Sequence, residues 1–270
     1  NVENASLPNL PEKRYLMNNV HFLSANLLTT PFKNKEWELK ANANYTNNVV
    51  SRASYNIVNY FAPINSTVIT NTENKFYTDK VKGELVFTKN AKKGFFKNTT
   101  TFTQFWNADR ADVQRSSILG AQAIESPTSS FQNSLSTILP WKEKMINLKS
   151  YINYQKDRQN LDITPASYVN LNLPFPSTAD MLRQDFGMTT VEANHSANVS
   201  FSYKYWTFTP EVGLNFSSNQ INSDLYSRNA GALQSLGNAF QNDIKFTNLL
   251  PYASLGLNYK SVNWMLFAGL

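Results

Sequence analysis

No cysteine occurs in the 270 residues, which excludes disulfide frameworks, thiolate metal sites and cysteine nucleophiles together. Histidine is limited to His21 and His195, too few for a metal site without carboxylates at a spacing the chain does not offer. Glycine numbers only 9, and neither a glycine-rich phosphate loop nor a nucleophile elbow is present. No stretch approaches the ~18 consecutive apolar residues of a spanning helix. The amino end carries no apolar signal segment, so the sequence reads as mature or as starting partway through a longer protein. These absences remove most enzyme classes and the helical membrane class. No enzymatic activity, cofactor or metal is expected.

What is present has an uneven texture. Hydrophobic residues make up 41% of the chain, yet mean hydropathy is −0.41. Asparagine, serine and threonine supply much of the difference, as when half of each strand is apolar and half polar. The formal net charge is +6, from 25 Lys and Arg against 19 Asp and Glu. A nucleic-acid protein gathers such charge into one groove or tail. Here lysine recurs at intervals, and no nucleic-acid partner is expected.

Residues 191–217 are the clearest stretch. Val191, Ala193, His195, Ala197, Val199, Phe201 and Tyr203 take alternate positions, with polar residues between them. After Lys204-Tyr205 the alternation resumes with Trp206, Phe208, Pro210, Val212, Leu214 and Phe216. Strand side chains point alternately to opposite faces, so this is a hairpin with one apolar and one polar face. Each arm exceeds the usual five or six residues of a soluble strand and nears the roughly nine to eleven of a tilted membrane crossing. The expected fold is therefore all-β, an antiparallel transmembrane β-barrel with short turns on one side and long loops on the other. Val191, Ala193, Ala197, Val199, Phe201, Phe208, Val212, Leu214 and Phe216 are the expected lipid-facing set.

The same unit repeats. Lysine-bearing turns fall near positions 33, 91, 142, 204 and 261, a period of roughly 50 to 60 residues that would also suit a propeller or solenoid. Those folds use shorter strands and glycine signatures, which are missing. Strands are expected near 18–27, 37–46, 76–88, 95–106, 123–139 and 146–154. Polar loops are expected at 63–72, 109–117, 156–183 and 219–243, with a short helix within 230–240. Residues 1–16 read as a loop or extension, and 17–270 as about ten to twelve strands.

Trp37, Trp141, Trp206 and Trp264 each lie beside a short turn, whereas Trp106 lies about ten residues up its strand. An aromatic girdle at each bilayer interface produces this placement. His195 shares the apolar parity, but Ser196 does not, so no Ser–His pair forms on one face. Asp109, Asp112, Asp157, Asp162, Asp180 and Asp185 alternate with Arg110, Arg115, Arg158 and Arg183 and read as a solvated outer rim. Asn-x-Ser/Thr triplets follow from a polar strand face, where positions i and i+2 are neighbours.

Arg14-Tyr15-Leu16, then Asn19-Val20-His21-Phe22-Leu23-Ser24-Ala25-Asn26-Leu27-Leu28, then Trp37-Glu38-Leu39-Lys40-Ala41-Asn42-Ala43-Asn44-Tyr45, resembles barrel segments of TonB-dependent receptors of the Bacteroidetes type. The resemblance implies a barrel of ~22 strands around a plug. It also implies import of a solute across the bacterial outer membrane. The implied partners are outer-membrane lipid, a periplasmic energy-coupling protein and surface lipoproteins. The alternative role is a scaffold barrel that docks partner proteins in an outer-membrane complex. The last strand, from Trp264 to Leu270, is shorter than one crossing, so the chain is expected to be part of a larger barrel.

Overall fold

The computed structural model describes residues 15–33, 35–60, 66–91, 94–115, 118–142, 144–168, 178–260 and 265–269. Thirteen strands form one sheet: β1 (Tyr15–Thr29), β2 (Trp37–Tyr60), β3 (Ser66–Ala91), β4 (Gly94–Arg115), β5 (Ile118–Glu125), β6 (Thr128–Trp141), β7 (Lys144–Thr164), β8 (Met181–Val199), β9 (Phe201–Tyr203), β10 (Trp206–Asn229), β11 (Ala232–Ser235), β12 (Asn242–Lys260) and β13 (Met265–Gly269). Every pairing is antiparallel, and the sheet is a meander in which β5 with β6, and β8 with β9, each act as one interrupted strand and β11 is a short appendage of β10. The fold class is all-β.

Two strands are interrupted without losing register. β5 and β6 lie end to end against β4 and β7, and the gap falls at Ser126-Pro127. Pro127 has no N–H to give the ladder. The pairing is kept by Ser126 N–H to Asn107 O at 2.8 Å and Arg158 N–H to Pro127 O at 3.0 Å. β8 and β9 are likewise separated at Ser200 alone, near Pro210 of the opposing strand.

Because side chains of directly opposed residues share a face, the register carries each face across the whole sheet. One such row runs Leu27, Ala41, Leu85, Thr100, Asn133, Ile152, Ala193, Phe216, Leu249. The next row toward the turns runs Thr29, Leu39, Phe87, Asn98, Leu135, Ser150, His195, Leu214, Pro251. The alternation read in one hairpin thus becomes a face shared by β1 to β12. On β4 the aromatic residues of this face are the open ones: Phe102 is 47% and Trp106 50% exposed, while Thr101, Thr103 and Phe105 of the other face are half-buried, as is Gln104.

The strands are longer than their alternation suggests. β4 runs to Arg115, β7 to Thr164 and β10 to Asn229, so much of the expected loops at 109–117, 156–183 and 219–243 is strand. The expected loop at 63–72 is strand from Ser66 onward, and Tyr15 and Leu16 belong to β1. The expected helix within 230–240 is a single 3-10 turn at Asn238–Phe240, preceded by β11. The reason is that a hydrogen-bonded ladder persists in water with polar side chains on both faces, whereas the apolar alternation ends sooner. Among the described residues, β1 pairs only with β2 and β13 only with β12, so the sheet has two open edges.

Candidate functional site: a two-faced wall

The apolar face is deepest in β7 to β12. On β10 it spans Trp206 to Phe216 and then turns polar at Ser218, Gln220 and Asn222. On β7 it ends at Tyr154, followed by Lys156 and Arg158 on the same face. Val191, Ala193, Ala197, Val199, Phe201, Phe208, Val212, Leu214 and Phe216 all belong to it. His195 lies on it too, opposite Leu214 and Ser150. Trp37, Trp106, Trp141 and Trp206 share this face by register, and Trp264 lies outside the described residues.

At the turn end aromatic rings pack in clusters. Trp37 stacks on Phe87 with centroids 4.6 Å apart and meets Phe96 edge-on at 5.6 Å. Trp206 leans on Tyr259 at 4.9 Å. Tight turns set these rings in place: Lys35, Lys142 and Lys204 adopt φ of 53°, 56° and 53°. That left-handed backbone is uncommon for residues other than glycine.

A polar interruption crosses the apolar face on β4 and β6. Asn98 and Asn133 exchange amide hydrogen bonds at 3.1 Å, and Asn133 Nδ2 also donates to Thr100 at 2.8 Å. Ser129 bonds Gln104 nearby. The group satisfies much of its own hydrogen bonding.

The opposite face is polar and cross-linked. Asn42 donates to Glu84 at 3.1 Å, Asn153 to Glu192 at 3.2 Å and Asn198 to Glu211 at 3.0 Å. Glu211 also accepts from the Tyr252 hydroxyl at 2.9 Å. Each pair places an amide on one strand against a carboxylate on the next. Tyr252 reaches Glu211 by lying across Gly213, its directly opposed residue, where a Cβ would strike the ring. The Oδ1 atoms of Asn48, Asn107, Asn153 and Asn258, all on this polar face, accept no hydrogen bond. They leave acceptor capacity on the lining.

Beyond the apolar band, charged pairs tie the long hairpins together. Arg183 grips Asp162 with two hydrogen bonds of 2.6 Å across β8 and β7, and that carboxylate drives the guanidinium's already high pKa higher. Arg228 holds Asp180 at 3.1 Å, and its hydrogen bond lowers the Asp180 pKa. Asp185 moves the other way, raised chiefly by burial and opposed by Arg183. Asp224 accepts from Ser235 and Gln241, drawing β11 and the 3-10 turn against β10. A groove of about 1020 Å³ opens here, with Lys156, Arg158, Asp185, Asp224, Tyr226 and Asp243 on its walls. Arg110 pairs with Asp112 on its own strand at 3.0 Å. The sequence marked these acids and bases as a solvated rim, and the register joins the more distant ones. No cluster of three His, Cys, Asp or Glu fit to hold a metal occurs among the described residues.

No family model and no curated protein matches the chain. Among solved structures it is similar to the unliganded ferric citrate transporter FecA, at 11% identity and a TM-score of 0.43, over 96% of this chain and 42% of that one. It is similar also to BauA, the ferric preacinetobactin receptor of Acinetobacter baumannii, at 11% identity and a TM-score of 0.37, over 95% and 46% of the two chains. The alcaligin outer-membrane receptor FauA of Bordetella pertussis gives 10% identity and a TM-score of 0.39, over 96% and 41%. The chain spans less than half the length of each.

Proposed function

We propose that the chain is a wall segment of a bacterial outer-membrane β-barrel that imports a solute, in the manner of a TonB-dependent receptor of the Bacteroidetes type. The observation that carries the membrane reading is the one-sided apolar band. On β10 it runs from Trp206 to Phe216, about the depth of one tilted crossing. It is backed throughout by a polar, hydrogen-bonded face suited to a wet lumen. The nine residues from Val191 to Phe216 named above then face lipid. Trp37, Trp141, Trp206 and Trp264 mark the turn-side interface, and Trp106 marks the opposite one.

The two open sheet edges support a larger barrel. Unpaired backbone N–H and C=O groups in hydrocarbon cost several kcal/mol each, so the edges need strands to close the ring. Import rests on the resemblance in strand texture together with the polar lining, and a periplasmic energy-coupling protein is its implied partner. The test is insertion. The chain, expressed with the strands that complete its barrel, should partition into outer membranes and run as a detergent-soluble folded species. Recovery as a water-soluble monomer would end the membrane reading. A folded barrel that binds no solute and instead co-purifies with several proteins would replace import with scaffolding.

A further inference from the structure

The two ends of the wall differ in charge. At the loop end, cations and carboxylates are interleaved and paired, as in Arg183–Asp162, Arg228–Asp180 and Arg110–Asp112. At the turn end, the carboxylates of Glu36 and Glu38 already contact Lys89 at 4.0 Å and Lys40 at 3.1 Å. Lys33, Lys35, Lys142, Lys144, Lys204 and Lys260 are exposed and make no ion pair among the described residues. The turn sequences add Lys92 and Lys93 as further cations and Glu143 as one anion. The excess is positive in every hairpin.

These lysines sit against the aromatic rim. Lys144 Nζ lies 3.6 Å from the centroid of the Phe201 ring, and Lys204 Nζ 5.5 Å from that of Tyr203. Phe201 and Tyr203 belong to the apolar face. In both contacts the ammonium rests over a ring face, which holds a cation beside the aromatic rim. Three of the turns hold their lysine in a left-handed backbone, so cations recur where Asn or Gly is the easier residue.

We infer that the turn-side rim is a binding surface for anionic phospholipid head groups of the leaflet it faces. A phosphodiester placed beside the aromatic rim meets cations from several hairpins and few free carboxylates. This rests on the membrane reading above. The favourable term is Coulombic and spread over several lysines, so it selects lipid charge and not lipid structure.

The experiment reconstitutes the protein in bilayers containing brominated phosphatidylglycerol or brominated phosphatidylcholine and follows tryptophan quenching. Trp37, Trp141 and Trp206 lie at the rim and report on it. The relative binding constant should favour the anionic lipid by about fivefold, the effect expected of a single lysine near the surface. It should fall to parity near 1 M salt, where the Debye length is about 3 Å. A variant carrying Lys35→Asn, Lys142→Asn, Lys204→Asn, Lys144→Gln and Lys260→Gln should lose the preference, with Asn chosen where φ is positive. Lys75→Gln with Lys245→Gln, at the loop end, should keep it. Equal quenching by both lipids in the unmodified protein, or a preference that survives the turn variant, overturns the inference. Parity between lipids combined with salt-sensitive binding of soluble polyglutamate would reassign the lysines to an acidic periplasmic protein. Quenching by neither lipid would remove the membrane reading itself.

Discussion

The turn-side and loop-side halves of the same strands obey different chemistry. Near the turns, β10 alternates Trp206, Phe208, Pro210, Val212, Leu214 and Phe216 with polar residues, and each face has one character. Past Ser218 the same strand carries Gln220, Asn222 and Asp224 on the face that was apolar, yet it stays paired to β8 as far as Arg228. The backbone ladder is common to both halves, and the side chains differ. The lower half is shaped by what lies against its faces. The upper half is held by the ladder and by ion pairs such as Arg183–Asp162. Pairing alone therefore does not mark the extent of the apolar face, whereas the change at Ser218 does.

The sharpest way to test that contrast is to place the same charge in both halves. Val212→Arg, opposite Ala197 and Ala253 on the apolar face, should destabilise the folded barrel by about 2–4 kcal/mol in urea titrations from lipid vesicles. Asn222→Arg, on the same face of the same strand beyond the band, should cost well under half as much. Equal costs at the two positions would show that the band edge has been misplaced.

A smaller effect is expected on the polar face. Gly213→Ala must displace the Tyr252 ring, and with it the hydrogen bond to Glu211. Overpacking of this kind costs about 1–3 kcal/mol, and Tyr252→Ala introduced alongside should recover part of it. A double-mutant cycle with no coupling would mean that the ring does not rest on Gly213.

Smaller still is Asp162→Asn in the upper half. The Arg183–Asp162 pair is partly exposed, its side chains being 30% and 25% accessible, so solvent screening keeps its contribution to about 1 kcal/mol or less. Faster amide exchange at the outer ends of β7 and β8, with the lower halves unchanged, is the expected signature. Exchange that accelerated along the full strands would show that the two halves open as one unit.

The least effect comes from pH, and its sign differs between two neighbours. Asp180 has a depressed pKa because Arg228 donates to it, so its contact is intact above the ordinary aspartate range and is lost as pH falls through the lowered value. Asp185 has a raised pKa, chiefly from burial, so its ionised form is the disfavoured one, and acidification through the raised value relieves it. The protection factor of the Asp180 amide, whose N–H donates to Arg228 O at 3.0 Å, should fall at acid pH once the intrinsic pH dependence of exchange is divided out. The same shift should not loosen the ladder at Asp185. Matching acid responses at both sites would contradict the opposite signs.

Strand identity in the lower half was legible because one apolar and one polar face impose period two on residues such as 191–203. The upper half carries no such signal and has the texture of a loop: Lys156, Arg158 and Asn160 satisfy a ladder without apolar–polar alternation. The carboxylate contacts were also out of reach. Asn153 meets Glu192 only through the register of β7 on β8, which follows from turn positions at opposite ends of two strands. Pro127 falls inside the strand expected at 123–139. It costs that strand one N–H without shifting the register.

The meander has a consequence for how such walls grow. With the interrupted strands β5–β6 and β8–β9 each counted as one, the long strands pair only with those before and after them, and each hairpin begins and ends on the same side. Removing one whole repeat, from one lysine turn to the next, would join two strands already running in the required directions. The circumference would shrink by two strands, while all other registers and face assignments would be retained. A ring built this way can change size by duplication or loss of hairpins, with each intermediate still a paired sheet.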